Sequence, residues 1–277
     1  MTGPRVLVLD LDGTTLTADR RIAPIDVAAA RALREAGIAV TIATGRLYTG
    51  TRWVAEALGV EGSVAVMNGS ELIDVATDRT VHGQYLDAPV RRAVRSRLEP
   101  LGLAGIVFES RRIHYGARDH RLAPYLSIWT EHLTAHDDLL EAPPWDDSPD
   151  VVALAAAGPT GAIHALRAAL AEVLPPEVET LVFSTFDGET FLKLRHCVDD
   201  KGTALARLAA ERGFGVEDCV AVGDWLNDLP MLRAAGRSFA MAHAGDAVKD
   251  AADEVLVASR DGGAIAEVAA RVWGITV

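Results

Sequence analysis

The stretch Val6-Leu7-Val8-Leu9-Asp10-Leu11-Asp12-Gly13-Thr14-Thr15 begins with four apolar residues and continues into two carboxylates and a glycine turn. Because side chains alternate along an extended strand, Asp10 and Asp12 point the same way at its carboxyl end. Open α/β sheets bind their ligands at that edge. Asp and Gly after an apolar run are also ordinary turn residues. The stretch therefore predicts a buried strand that ends either in a site for phosphoryl chemistry or in a plain turn.

Short apolar runs alternate with amphipathic stretches over the first 67 residues. The apolar runs lie at 6–9, 38–43 and 64–67, and helices are predicted at 25–36 and 48–58. Near-continuous apolar strands separated by helices are typical of a parallel sheet that is covered on both faces. The same alternation returns after residue 202. We therefore predict an α/β fold with a doubly wound, Rossmann-like parallel sheet.

The region between the two halves of this sheet has a pattern of its own. A helix is predicted at 90–101 and a strand at 151–156. We therefore predict a core formed by residues 1–84 and 192–277, with a second α/β domain inserted at 85–191.

Composition limits the partners and the compartment. The formal net charge of −12 and the lack of a basic stripe argue against nucleic acid or an anionic membrane as a partner. Only four apolar residues lie between Arg5 and Asp10, too few for a signal-peptide core. The uncharged stretch 151–166 is shorter than the roughly 18 residues of a spanning helix. We expect a cytoplasmic protein, and the sequence leaves the oligomeric state open.

Two further segments place polar groups where strands or helices meet the same edge. Thr44-Gly45-Arg46 closes the second strand, where a hydroxyl and the following backbone N–H groups suit phosphate oxygens, although a plain turn also fits. Asp199-Asp200-Lys201 opens a helix, and a cation there meets the positive end of the helix dipole. Either the aspartates cap and neutralise the helix, or Lys201 and the helix end hold an anion together.

The last segment, Gly223-Asp224-Trp225-Leu226-Asn227-Asp228, follows another apolar strand. Its carboxylates, together with Asp10, are hard oxygen ligands that suit Mg²⁺. The alternative is an Asx-rich turn before the helix that begins near Pro230. A set of independent turns does not explain why all these segments fall at one edge of the sheet, so we predict a single site.

Taken together, the four segments resemble the motifs of the haloacid dehalogenase superfamily of phosphotransferases. The resemblance covers nearly the whole chain, and the insertion between the second and third motifs is similar to that of the Cof-type branch, subfamily IIB. Met67-Asn68-Gly69 also resembles that branch. The chain departs from the family pattern at Trp225, where a small residue is frequent, and at His243, where Asn is common.

The resemblance implies a role for each matching residue. Asp10 is the expected nucleophile, which forms an aspartyl-phosphate, and Asp12 the expected general acid and base. The implied Mg²⁺ site comprises Asp10, the backbone carbonyl of Asp12 and Asp224 as ligands, with Asp228 organising the waters bound to the ion. The implied phosphate-binding residues are Thr44, Gly45, Lys201 and Asn227, and possible substrate contacts are Arg46 and Asn68.

The expected function is that of a Mg²⁺-dependent phosphatase acting on a small phosphorylated metabolite, such as a sugar phosphate. A sugar phosphomutase of the same superfamily is the first alternative, and it would return the phosphate to the substrate. A non-hydrolytic phospho-acceptor module is the second, although such modules have no need of an inserted domain.

Overall fold

The computed structural model describes residues 3–184 and 188–277 of the chain. These residues form two compact units. The first unit comprises the chain up to Gly45, Thr51–His82 and Asp199–Val277, and the second comprises Arg46–Gly50 and Gly83–Val198. None of the helices in the described part of the chain has the length and apolar character needed to cross a membrane.

The strands of the described residues are, in chain order, β1 (Val6–Leu9), β2 (Ala39–Ile42), β3 (Ser63–Val66), β4 (Glu71–Asp74), β5 (Arg79–Gly83), β6 (Ala104–Glu109), β7 (Ile113–Gly116), β8 (Leu133–His136), β9 (Val151–Gly158), β10 (Val178–Ser184), β11 (Thr190–His196), β12 (Cys219–Gly223), β13 (Arg237–Ala240) and β14 (Glu254–Val255). Their α-helices are α1 (Pro24–Glu35), α2 (Tyr48–Leu58), α3 (Ala88–Leu98), α4 (Ala123–Leu126), α5 (Thr160–Ala171), α6 (Lys201–Glu211), α7 (Leu229–Ala234), α8 (Asp246–Lys249) and α9 (Ala264–Val268).

The main sheet of the first unit confirms the predicted α/β fold. Its strand order is β14-β13-β12-β1-β2, and each neighbouring pair is parallel. All four residues of β1 are fully buried, because a parallel sheet covered on both faces leaves neither side of the strand in water. Leu9 pairs with Val222 of β12, so the loops that follow these two strands begin side by side.

The third predicted strand, at 64–67, lies elsewhere than expected. β3 belongs to a separate sheet of order β3-β4-β5 and pairs with β4 in antiparallel fashion. An isolated parallel bridge between Ala43 and Ala65 links it to the end of β2. Met67 and Asn68 have φ values of 51° and 58°, which turn the chain directly back into β4.

The second unit contains a six-stranded sheet of order β10-β11-β9-β6-β7-β8. Its pairs are antiparallel, except for β7 with β8. Along β11, Leu192 and Leu194 join a buried apolar core with residues of α3 and α5. The helix predicted at 90–101 is α3, which begins earlier because the Asp87 carboxylate accepts the Val90 N–H at 3.0 Å.

Candidate active site

Asp10 lies directly after β1 and is held by the backbone on both sides. Its N–H donates to the carbonyl oxygen of Val222 at 3.0 Å, and its carbonyl oxygen accepts the Thr15 hydroxyl at 2.6 Å. The residue is 5% exposed. The carboxylate is therefore fixed at the carboxyl edge of the main sheet, next to the loop that follows β12.

Lys201 is the first residue of α6, and its fully buried side chain lies between two carboxylates. Its Nζ is 2.5 Å from Asp10 Oδ1 and 2.6 Å from Asp228 Oδ1. The helix itself is capped by Asp200, whose carboxylate accepts the Thr203 N–H at 2.8 Å. The sequence left open whether this segment caps the helix or binds charge. The structure shows both, since Asp200 caps the helix and Lys201 binds the carboxylates.

The turn after β12 is organised by the carboxylate of Asp228. Its Oδ2 accepts the N–H groups of Asp224 and Trp225, each at 2.9 Å. The indole of Trp225 is turned to solvent and the residue is 63% exposed, so the unusual residue takes part in the turn through its backbone. Gly13 has φ +85°, and a Cβ there would lie 2.3 Å from Asp224 Oδ2, which explains a glycine at this place.

Asp10, Asp224 and Asp228 form the one group in the described residues whose carboxylate oxygens could hold a metal ion together, all within 4.8 Å of one another. With one ammonium from Lys201, the four side chains carry a formal charge of −2. Three buried carboxylates need more positive charge than a single lysine supplies. The donor set of hard oxygens fits Mg²⁺, which takes few protein ligands.

The electrostatics of the cluster follow from burial and from its neighbours. Burial raises the pKa of Asp10 well above its ordinary value, against the opposing effect of Lys201. Burial and the nearby Asp228 raise the pKa of Asp224. Burial alone would lower the pKa of Lys201, but Asp10 and Asp228 outweigh it and raise that pKa. The lysine is therefore a permanent cation, and an added cation would favour ionised carboxylates.

A second set of predicted residues lies together in the first unit. Asn227 Nδ2 donates to Asn68 Oδ1 at 2.8 Å, and the Asn68 N–H donates to the carbonyl oxygen of Thr44 at 2.8 Å. Thr44 is fully buried. A Cβ on Gly45 would lie 3.3 Å from Asn68 Oδ1, so the chain passes close to this asparagine. Asn68 thus positions Asn227 and the Thr44 turn.

Two predicted residues lie outside these groups. Asp12 is exposed, and its carboxylate is not part of the group of three that could hold a metal. Arg46 belongs to the second unit, where its Nη1 donates to the carbonyl oxygen of Gly50 at 3.4 Å.

Two contacts and one buried charge were not foreseen. His243 Nε2 lies 3.3 Å from Asp224 Oδ2, and the Thr14 hydroxyl lies 3.4 Å from Asp224 Oδ1. Both residues stand in segments that the sequence had singled out, but their partner depends on the loop geometry. Lys193 of β11 is a buried lysine in the second unit. In the sequence, the position of this lysine inside the apolar run Phe191–Leu194 could have indicated a buried charge.

Two relatives of this chain are named phosphatases. The chain is 28% identical to the HMP-PP phosphatase of Serratia proteamaculans, over 87% of this chain and 84% of that protein. It is 26% identical to the pyridoxal phosphate phosphatase YbhA of Escherichia coli, over 91% of this chain and 93% of that protein.

Solved structures share the fold. A haloacid dehalogenase-like hydrolase from Bacteroides thetaiotaomicron matches with a TM-score of 0.84 at 24% identity, covering 98% of this chain and 100% of the other. The subclass IIB sugar phosphatase BT4131 matches with a TM-score of 0.73 at 20% identity, covering 98% and 99%. The fold is therefore that of the branch predicted from the motifs.

The family model of the haloacid dehalogenase-like hydrolases matches residues 7–268, nearly the full length of the chain. The four motifs and the inserted unit lie within that range. The prediction of a hydrolytic enzyme of this superfamily is confirmed: the chain belongs to the haloacid dehalogenase-like hydrolases.

Proposed function

We propose that the protein is a Mg²⁺-dependent phosphatase that hydrolyses small phosphate monoesters through an aspartyl-phosphate at Asp10. The observation that carries this proposal is the buried Asp10 carboxylate, bound by Lys201 at 2.5 Å and grouped with Asp224 and Asp228. The relatives named above act on HMP-PP and on pyridoxal phosphate, both small phosphorylated metabolites. Sugar phosphates and related metabolites are the substrate class that we propose.

Asp10 acts as the nucleophile. Because Lys201 binds its Oδ1, we assign the attack on phosphorus to Oδ2. A bond forms from Asp10 to phosphorus as the bond to the leaving oxygen breaks, and Asp12 donates a proton to that oxygen. Water then attacks the aspartyl-phosphate and gives a proton to Asp12, which releases phosphate and restores Asp10. The exposure of Asp12 leaves it accessible to the leaving group and to water.

The remaining residues bind charge. Asp10, Asp224, Asp228 and the backbone carbonyl of Asp12 would hold the Mg²⁺. When bound, the ion supplies positive charge that offsets the charge of the carboxylate and of the phosphoryl group. Lys201 holds Asp10 in place and stabilises negative charge on the phosphoryl oxygens. Thr44, Gly45 and Asn227 contribute hydroxyl, backbone and amide donors to the same oxygens.

We assign the choice of substrate to the inserted domain proposed at 85–191, which lies in the second unit. That unit has its own sheet and its own apolar core. Its side chains can therefore vary without disturbing the residues of the main sheet that carry the chemistry.

The test is phosphate release from a panel of small phosphate esters, with Mg²⁺ and with EDTA. We expect release with Mg²⁺, loss of release with EDTA, and loss in Asp10→Asn. Asp26→Asn is the matched control, since Asp26 is a buried carboxylate of the same unit that binds the backbone N–H groups of Gly263 and Ile265. Release that is insensitive to EDTA and to Asp10→Asn would contradict the proposal, and formation of a sugar-phosphate isomer without free phosphate would indicate a mutase.

A further inference from the structure

The sheet of the second unit has two different faces. Leu192 and Leu194 of β11 point to the face that packs on α3 and α5. Lys193 lies between them and therefore points to the opposite face. It is only 9% exposed, so an amine is buried on a side of the sheet that those two helices do not cover.

Aromatic rings line this opposite face around the amine. They contact one another in a chain with centroid separations of 5.0–5.5 Å; this aromatic cluster consists of Phe108, Trp129, Tyr125, Phe191 and Phe183. The Nζ of Lys193 lies 5.2 Å from the ring centre of Phe108 and 5.3 Å from that of Trp129. Such contacts stabilise an ammonium but supply no counter-charge.

The carboxylate of Glu179, whose charge acts on Lys193, is already paired. Glu179 lies opposite Arg195 on the neighbouring strand, and their side chains form an ion pair at 2.5 Å. No carboxylate of residues 3–184 and 188–277 forms an ion pair with Lys193. Burial, with Arg195 adding, lowers the pKa of Lys193 to about 8. At neutral pH the amine is thus mainly an ammonium, and no carboxylate of the described residues serves as its counter-anion.

A buried charge without a partner is costly, and a methionine would fill a similar volume without that cost. Residues that break a packing rule in this way are expected at functional or strained sites. We propose that this face is a binding site for a small organic anion, with the Lys193 ammonium donating hydrogen bonds to a carboxylate or phosphate oxygen and the rings of Phe108 and Trp129 beside it. The anion is either an acidic group of the substrate or a separate ligand.

The first experiment observes the amine directly. The chain contains three lysines, Lys193, Lys201 and Lys249, so a protein labelled with ¹³C at the lysine ε-carbons gives three signals. Lys193→Met and Lys249→Met assign two of them. We expect malonate, added at pH 7, to shift the Lys193 signal saturably and to raise its titration midpoint above about 8, while the Lys249 signal stays in place. If the chemical shift of the Lys193 signal does not change at any malonate concentration, the proposal is overturned.

The second experiment separates the two sources of the anion. Wild type and Lys193→Met are compared on 2-phosphoglycolate and on ethyl phosphate, which differ in one carboxylate. If the anion belongs to the substrate, kcat/KM for 2-phosphoglycolate divided by kcat/KM for ethyl phosphate falls about 10- to 100-fold in Lys193→Met. A fall of this size corresponds to the loss of a charge-assisted hydrogen bond. The ratio in Lys249→Met stays within about twofold.

If the anion is a separate ligand, the ratio stays constant and malonate binding still depends on Lys193. An equal loss for both esters without malonate binding overturns the proposal and leaves Lys193 a structural role. The substrate arm rests on the proposed phosphatase activity. If the wild type hydrolyses neither ester, that activity fails, while the malonate titration still decides whether the anion site exists.

Discussion

Two buried lysines, one in each unit, have opposite surroundings. Lys201 is fully buried between the carboxylates of Asp10 and Asp228, which raise its pKa. Lys193 is almost as deeply buried against the rings of Phe108 and Trp129, and its pKa falls to about 8. Burial alone favours the neutral amine in both places, so the carboxylates decide the direction of the shift.

The difference also predicts what each place attracts. Around Lys201 three carboxylates exceed one ammonium, which leaves a net negative cluster suited to a metal cation. Around Lys193 the carboxylate of Glu179 is bound to Arg195, which leaves the described residues of this face with a net positive charge suited to an anion. The same side-chain type thus lies beside a group of carboxylates that could hold a cation in the first unit, and supplies the charge of the proposed anion site in the second.

Removing Lys201 should have the largest effect. In Lys201→Met, Asp10 and Asp228 keep their buried carboxylates without the ammonium, and the stabilisation of the phosphoryl oxygens is lost. We expect kcat for phosphate release to fall by about 10³-fold or more. Steady-state kinetics on protein shown to be folded by circular dichroism checks this, with Lys249→Met as the control. A fall of less than tenfold would show that Lys201 only fills space.

The second-largest effect should be the stabilisation of the first unit by Mg²⁺. At a Mg²⁺ concentration of about 100 times Kd, binding to the folded state adds about 2.7 kcal/mol to the free energy of unfolding. Differential scanning fluorimetry should show this as a rise in Tm. The rise should vanish in Asp224→Asn and persist in Lys193→Met. A similar rise in Asp224→Asn would contradict the assigned ligands.

The sequence predicted more of the first site than of the second. Asp10, Asp224 and Asp228 each follow an apolar strand of one parallel sheet, and topology brings such strand ends together whatever the loop details. The hydrogen bond between Asn227 and Asn68 joins two turns 159 positions apart in the sequence, so it depends on tertiary structure that no local residue pattern predicts.

The face around Lys193 depends on tertiary pairing. Phe108 and Lys193 lie on strands 85 positions apart, and they come together because β9 lies between β6 and β11. The short strands β7 and β8 were not predicted, since their half-buried residues lack a clear alternation.

Replacing Lys193 should be favourable to the stability of the protein, whereas replacing Lys201 should be harmful to its activity. Lys193→Met removes a buried ammonium that forms no ion pair with the described residues, so the free energy of unfolding should rise by about 1–2 kcal/mol at pH 7. Urea denaturation of both proteins measures the difference. A destabilised Lys193→Met would mean that attractive contacts of the ammonium, such as those with the Phe108 and Trp129 rings, outweigh the cost of burying it.

The pH dependence of that difference has a defined sign. The unfolded lysine titrates near 10.4, and the folded one at about 8. Between these values the unfolded state binds more protons, so wild-type stability gains relative to Lys193→Met as pH rises. The advantage of the variant should therefore be complete below pH 8 and shrink toward pH 10. An advantage that stays constant across this window would contradict the lowered pKa.

Burial should also keep the thiol of Cys219 neutral, and this prediction concerns the smallest effect. Burial, with Asp218 and Glu217 adding, raises the pKa of its thiol to about 12. At pH 8 only about one part in 10⁴ is thiolate, the reactive form. Iodoacetamide followed by peptide mapping should label the partly exposed Cys197 in the native protein, and Cys219 only in guanidinium chloride. Equal labelling of Cys197 and Cys219 in the native protein would show that burial without an opposite charge does not keep the Cys219 thiol neutral. The opposite pKa shifts of the two lysines would then need another cause.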